Sequence, residues 1–282
     1  MHWQTARFRL TFGRPLVMGI VNVTPDSFSD GGEHAAEASA IAHCERLLDE
    51  GADILDIGGE STRPGSTTPS DEEELARVMP VLKHAVTLGV PVSVDTSSAA
   101  VMRQALRAGV DIVNDVRALR RPGALQAVQA HGQAGVCLMH MRGEPSTMQT
   151  MLDYADVVAE VSEFLQQRLS DVVAAGVASD RIVLDPGMGF AKSPDHNWAL
   201  LRRQSELLAL GRPLLTGWSR KGTLGKLTGR EVKDRTAASV AAALASVQLG
   251  AMIVRVHDVA ATVDALKVWA AAGLVPGPAR GN

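Results

Sequence analysis

The sequence predicts an α/β protein of the (β/α)8, or TIM-barrel, type, in which residues 1–282 form a single domain. Seven times along the chain, a helix-like stretch ends at a glycine, which readily closes a helix, and a short apolar run comes next. An eighth run, residues 16–21, precedes them. The runs are rich in β-branched residues and do not alternate with polar ones, which is typical of strands buried on both faces.

The alternation of eight strands with helices predicts a parallel sheet joined by right-handed crossovers. The length of 282 residues favours closure of this sheet into a barrel, with an open doubly wound sheet as the structural alternative. The predicted strands are residues 16–21, 53–57, 90–94, 110–113, 136–139, 181–184, 213–215 and 251–254.

The remaining segments predict elements that complete the barrel. Residues 2–14 are expected to form a β-hairpin that covers its bottom. Ser70 and Glu73 have the spacing of a capping box, which predicts the start of a helix. Residues 157–172 carry apolar side chains at helical spacing, which predicts a helix whose apolar face packs against the core or against another subunit. Residues 237–254 are too weakly apolar for a membrane span and are interpreted as a buried helix that leads into a strand.

The composition is that of an ordinary globular protein, with 46% hydrophobic and 21% charged residues. The net charge of −3 and the absence of a Lys/Arg block argue against a nucleic-acid partner. Cys44 and Cys137 fit no metal or disulfide pattern and are expected to be buried, reduced thiols. Because residues 1–10 lack an apolar signal core, we expect a cytoplasmic protein with no membrane partner.

Polar residues follow seven of the eight predicted strands, where a barrel carries its active site. Each one alone is readily interpreted as a helix cap or a solvated charge. Their convergence on one barrel mouth instead predicts a small-molecule site. The strand-end groups are Asn22, residues 58–65, Asp95, Asn114 with Asp115, Asp185, residues 219–221 and residues 255–258, with Met139 as an apolar wall.

These side chains indicate two chemically distinct halves of a site. Four residues supply donors and positive charge suited to a phosphate group, namely Thr62, Arg63, Arg255 and His257. Three residues form an acceptor set suited to a heterocycle with several N–H donors, namely Asp95, Asn114 and Asp185. Lys221 is placed to donate to a carbonyl of the same ring. The amide oxygen of Asn22 suits a hard cation such as Mg²⁺ that bridges phosphate oxygens.

Two polar loops rich in glycine and proline, residues 24–32 and 61–68, follow the first two strands and are candidates for lids. Residues 21–32 and 56–65 resemble the two signatures of the dihydropteroate synthase family. Residues 185–190, 219–221 and 255–258 match the same family in the same order. The resemblance extends from residue 19 to about residue 258.

The resemblance implies a barrel enzyme, usually a homodimer, with Mg²⁺. It implies condensation of 6-hydroxymethyl-7,8-dihydropterin pyrophosphate with 4-aminobenzoate to give dihydropteroate and pyrophosphate, and thus a sulfonamide target. By position, the implied pterin contacts are Asp95, Asn114, Asp185 and Lys221, and the pyrophosphate contacts are Thr62, Arg63, Arg255 and His257. The implied aminobenzoate surroundings are Phe28, Pro64, Phe190, Ser219 and Lys221, and Asn22 is the implied Mg²⁺ ligand. Several members carry Ser where this chain has Gly222, which removes a hydroxyl from that part of the site.

The residues and the resemblance together suggest catalysis by positioning and by stabilising the leaving pyrophosphate. The residues expected to act in it are Asp95, Lys221, Arg255 and His257. Two alternatives remain open at this point. One is a related pterin-dependent methyltransferase barrel, and the other is a non-catalytic paralogue that binds pterin without turnover.

Overall fold

The fold is a closed barrel of eight parallel strands, preceded by a two-stranded antiparallel hairpin. The computed structural model describes residues 1–24, 32–61 and 65–274, without the side chains of residues 32–35. The hairpin strands are β1 (His2–Gln4) and β2 (Arg9–Thr11). The barrel strands are β3 (Leu16–Asn22), β4 (Ile54–Gly58), β5 (Val92–Asp95), β6 (Ile112–Asp115), β7 (Gly135–Met139), β8 (Ile182–Asp185), β9 (Leu214–Thr216) and β10 (Ala251–Val256). Pairing of β10 with β3 closes the ring, so the predicted barrel is confirmed.

Helices connect successive strands on the outside of the barrel. They are α1 (Gly32–Asp49), α2 (Asp71–Ala85), α3 (Ala99–Arg107), α4 (Ala124–His131), α5 (Val157–Ala174), α6 (Pro194–Arg202), α7 (Gly222–Thr228), α8 (Thr236–Gln248) and α9 (Val259–Ala271). The capping box predicted before α2 is present, with both the Ser70 and the Glu73 side chains bonded to backbone N–H groups. Within the described residues, no helix is long and apolar enough to cross a membrane.

Several strands begin one or two residues later than predicted, and carboxylates just before two of them bond to the neighbouring strand. Asp53 accepts a hydrogen bond from the backbone N–H of Val17, at 2.9 Å. Asp111 accepts one from the backbone N–H of Val92, at 3.0 Å. Each carboxylate thus links the amino end of its own strand to the adjacent strand, in addition to the backbone hydrogen bond that the same residue donates there.

The barrel interior is apolar at the bottom and polar at the top. A separate buried cluster identifies the inward positions of the lower layer: Trp3, Leu16, Met18, Ile54, Ile112, Cys137, Val183, Leu215 and Ile253. Trp3, from the predicted hairpin, is fully buried there and donates to the Arg181 carbonyl at 2.8 Å. Because alternate strand residues face the same side, the residues two positions further on also point inward. On four strands these are Asp56, Asn114, Asp185 and Arg255.

Candidate functional site

Backbone register aligns several strand-end residues at one level of the barrel. Asn22 pairs with Gly58, Gly58 with Asp95, and Asp95 with Asn114. Further round the ring, Met139 pairs with Asp185. These residues stand at strand ends, some of them more than a hundred positions apart in the chain. The register places them together at one mouth, the carboxyl end of the barrel.

Arg255 lies at the centre of this mouth and joins two acidic side chains. Its Nε donates to Asp56 Oδ2 at 2.6 Å, and its Nη2 donates to Asp95 Oδ2 at 2.7 Å. Asn114 Nδ2 also donates to Asp56 Oδ2, at 3.2 Å. The cation and acceptor sets inferred from the sequence are thus linked directly by one guanidinium group.

Burial changes the protonation behaviour of this cluster. It raises the pKa of Asp95 to about 7, although the charge of Arg255 opposes the rise. Burial alone would lower the pKa of Arg255, but the carboxylates of Asp56 and Asp95 outweigh it. The pKa of Arg255 therefore lies above its already high ordinary value. Arg255 is therefore charged at any physiological pH, whereas Asp95 titrates near neutrality.

Asp185 is held by the turn that follows its own strand. Its Oδ1 accepts a hydrogen bond from the Gly187 N–H at 2.7 Å, and Oδ2 makes no hydrogen bond with the described residues. Burial raises its pKa to about 6, against the lowering effects of that hydrogen bond and of Lys221. Gly187 has a φ of +70°, and a Cβ there would lie 2.0 Å from the His140 carbonyl oxygen. Only glycine fits this close approach of two backbones.

Lys221 faces the mouth from the loop between β9 and α7. Its Nζ lies 4.3 Å from the centre of the Phe190 ring, a cation–π contact. Burial lowers its pKa to about 8, helped by the nearby charge of Arg255 and opposed by Asp185 and Asp95. These mutual effects mean that Lys221, Asp185 and Arg255 share one electrostatic environment.

Ser219 and His257 contact each other next to this group. The Ser219 Oγ lies 2.9 Å from His257 Nδ1 and accepts from the His257 backbone N–H at 3.1 Å. Burial lowers the pKa of His257 to about 3, so its ring is neutral at pH 7. Arg220, which follows Ser219 in the chain, has a φ of +59°. Its Nη2 donates a hydrogen bond to Asp258 Oδ1 at 2.7 Å.

A small apolar cluster and an ion-pair network border the mouth. The apolar cluster consists of Val116, Met139, Met141, Met148, Phe190 and Ala191, so Met139 does form part of an apolar wall. Buried Arg117 makes two 3.0 Å bonds to Glu60 and one of 2.6 Å to Glu144. Glu60 immediately precedes the loop at residues 61–68, so this network anchors the base of that loop.

A family model described as pterin binding enzyme matches residues 18–257 of this chain. The dihydropteroate synthase of Neisseria meningitidis serogroup B is 55% identical over 278 residues, covering 96% of this chain and 98% of that protein. This chain belongs to the dihydropteroate synthase family. It is therefore an enzyme and a transferase.

Solved structures of the dihydropteroate synthase family agree with this assignment. The Xanthomonas albilineans enzyme with 4-aminobenzoic acid has a TM-score of 0.89 and 54% identity, covering 95% of this chain and 96% of that one. The Burkholderia cenocepacia enzyme complexed with 7,8-dihydropteroate has a TM-score of 0.88 and 50% identity, covering 96% of each chain. Neither the methyltransferase alternative nor the non-catalytic one gains support from these matches.

Four residues carried over from the dihydropteroate synthase signatures, Phe28, Thr62, Arg63 and Pro64, lie outside the described part of the structure. Conversely, sequence reasoning missed Asp56, which is fully buried and contacts both Arg255 and Asn114. The sequence feature that could have identified Asp56 is its position inside the apolar run 54–57. A buried charge there is costly unless it is paired, so a partner was to be expected.

Proposed function

We propose how the mouth residues divide the reaction of the family between them. The chain condenses 6-hydroxymethyl-7,8-dihydropterin pyrophosphate with 4-aminobenzoate to 7,8-dihydropteroate and pyrophosphate. The observation that carries the proposed division is the meeting of Asp95, Asp185, Lys221 and Arg255 in one buried mouth. The binding of 4-aminobenzoic acid and 7,8-dihydropteroate by solved relatives supports the choice of substrates.

The pterin ring is assigned to the acceptor side of the mouth. Asp185 Oδ2 and Asp95 Oδ1 make no hydrogen bonds with the described residues, so both are free to accept N–H groups of the ring. Asn114 adds an amide, and Lys221 donates to the ring carbonyl. A buried carboxylate that accepts ring N–H groups contributes about 1.5–3 kcal/mol for each hydrogen bond.

The pyrophosphate is assigned to Arg255 and His257, together with Thr62 and Arg63. Arg255 supplies a permanent charge, whereas neutral His257 supplies a hydrogen bond, and its pKa would rise next to a bound anion. Breaking of the C–O bond sends its electron pair to the departing pyrophosphate, where these groups stabilise the growing charge.

The donor set also fits Mg²⁺, with Asn22 as its ligand from the chain. Asn22 ends β3 at the mouth, level with Gly58, and offers a hard amide oxygen. Within residues 1–24, 32–61 and 65–274, no cluster of three or more His, Cys, Asp or Glu side chains is suited to hold a metal. An ion held by Asn22 would neutralise charge on the leaving group when bound.

The aminobenzoate is assigned to the outer part of the mouth, next to Phe190, Ser219 and Lys221. The resemblance adds Phe28 and Pro64 to its expected contacts. The C–O bond breaks largely before attack, because the pterin ring can stabilise a cation at the exocyclic carbon. The amine then forms the new C–N bond with that carbon, and the ammonium product releases a proton to water. A free arylamine is nucleophilic at neutral pH, so no strong base is required.

We further propose that the protein is a cytoplasmic homodimer and that sulfonamides inhibit it by competing with 4-aminobenzoate.

The test is calorimetric binding of the dihydropterin pyrophosphate together with a pyrophosphate-release assay. Asp185→Asn is expected to weaken pterin binding by roughly 10- to 100-fold, since it removes charged hydrogen bonds. Asp53→Asn is the matched control, because Asp53 lies at the opposite end of the barrel and bonds Arg14 at 2.8 Å. Wild-type affinity in Asp185→Asn, or no pyrophosphate release by the wild type, would overturn the assignment.

A further inference from the structure

Lys192 is a buried basic residue that the reaction outlined above does not use. Burial lowers the pKa of its amine to about 7, so the side chain is cationic below that pH. It lies between β8 and α6, and only 4% of its surface is exposed. Its Nζ lies 2.9 Å from His140 Nδ1, 3.0 Å from the Gly187 carbonyl oxygen and 2.9 Å from the Phe190 carbonyl oxygen. Within the described residues it forms no ion pair with a carboxylate. Its acceptors are these three neutral groups and, at 3.5 Å, the His140 carbonyl oxygen.

Each of the three acceptor residues also contacts a residue of the proposed pterin site. The Gly187 N–H holds Asp185 Oδ1 at 2.7 Å. The Phe190 ring lies beneath the Lys221 ammonium. The His140 backbone N–H donates to the Asp185 carbonyl oxygen at 2.9 Å. One ammonium group therefore ties together the supports of both Asp185 and Lys221.

The segment that Lys192 holds has a backbone that needs external support. Gly187, Gly189 and Ala191 all have positive φ angles, of 70°, 82° and 49°. For alanine this left-handed conformation is disfavoured, and it persists only where surrounding contacts enforce it. Besides the turn bond from the Phe190 N–H to the Gly187 carbonyl, at 3.1 Å, the Lys192 ammonium bonds both carbonyls at the ends of the turn.

The His140 ring can accept the hydrogen bond from the Lys192 Nζ. Burial and the adjacent Lys192 charge lower the pKa of His140 to about 2. Its ring is therefore neutral, with Nδ1 available as an acceptor. The ring also packs edge-on against Phe164, with centroids 4.9 Å apart, which fixes its orientation.

We propose that Lys192 is a positioning residue for pterin binding, which acts by holding the turn 187–190 in the shape that orients Asp185 and Phe190. This inference rests on the proposed function, because it concerns affinity for the same pterin substrate. Lys192 itself does not touch the substrate in this proposal.

The experiment compares Lys192→Met with Arg181→Met in the full chain. Arg181 is the matched control, because it too is a buried cation that donates to backbone carbonyls, those of Gly132 and Ala134, but at the bottom of the barrel. Both variants are expected to unfold at lower temperature than the wild type. Only Lys192→Met is expected to weaken calorimetric binding of the dihydropterin pyrophosphate, by about tenfold, the equivalent of one hydrogen bond.

A double-mutant cycle with Asp185→Asn separates positioning from a general loss of stability. If Lys192 acts through Asp185, the two substitutions together weaken binding by clearly less than the product of their separate effects. Additive effects, or wild-type affinity in Lys192→Met, would overturn the proposal. If Lys192→Met does not fold, Lys192→Gln, which keeps an N–H donor, takes its place with the same criteria. Wild-type enzyme that binds no pterin would instead defeat the proposed function itself.

Discussion

Replacing Arg255 with methionine is expected to destabilise the barrel strongly, because two acidic side chains lose the cation that they share. The side chain of Asp56 is fully buried, and those of Asp95 and Arg255 are 16% and 21% exposed, so water screens these pairs weakly. Removing one partner of a buried ion pair costs about 3–5 kcal/mol, since the remaining charge stays desolvated. We expect a loss of that size in the free energy of unfolding.

The loss should also grow with pH. Burial raises the pKa of Asp95 to about 7 in the presence of Arg255, and removal of Arg255 raises it further. Below pH 7 the carboxyl carries a proton in both proteins, so its missing cation matters less. Above pH 7 the wild type releases this proton and the variant retains it. The stability difference therefore widens by up to about 1.4 kcal/mol for each pH unit until the variant's own pKa is reached.

Urea unfolding followed by circular dichroism at pH 6 and pH 8.5 measures both effects. Arg14→Met is the control, since Arg14 pairs with Asp53 in a more exposed position, with 39% of the arginine side chain accessible. Its loss is expected to be roughly 1 kcal/mol, as for other solvent-screened pairs. Equal losses in the two variants, or a loss for Arg255→Met that is the same at both pH values, would refute the electrostatic reasoning.

Three further predictions concern the mouth of the barrel. The kcat/KM for the pterin substrate should fall below about pH 7 as first Asp95 and then Asp185 gain a proton, and above about pH 8 as Lys221 loses one. Lys221→Arg should then move the upper limb to higher pH, and an unmoved limb would exclude Lys221 as its source. Gly187→Ala should lower both the melting temperature and pterin affinity, because its Cβ would lie 2.0 Å from the His140 carbonyl oxygen, and an unchanged thermal transition would contradict this. Gly222→Ser should fold with unchanged stability, since no heavy atom lies within 4 Å of a Cβ there. Its KM for 4-aminobenzoate should fall by roughly two- to fivefold if the added hydroxyl makes one weak hydrogen bond, which steady-state kinetics would reveal.

Much of the architecture was predictable because its signals are local. The glycines that end helices, the apolar runs and the capping box before α2 each act within a few residues, and each matches an element of the structure. The hairpin was predictable from its short polar and aromatic pattern, and Trp3 then covers the barrel bottom as expected. The exact strand starts were not predictable, because they depend on backbone pairing with a neighbouring strand, such as that of Val92 with Leu55.

The sequence by itself determined which residues stand at strand ends, and through them the family and its chemistry. Only the tertiary structure decided which of these residues touch. Asp56 and Arg255 are 199 residues apart, and their contact exists because β10 closes the ring against β3. The protonation of Asp95, Asp185 and His257 depends likewise on burial that the closed barrel creates, and no local pattern encodes it. Desolvation and ion pairing are properties of a three-dimensional neighbourhood, and they arise only when distant segments pack together.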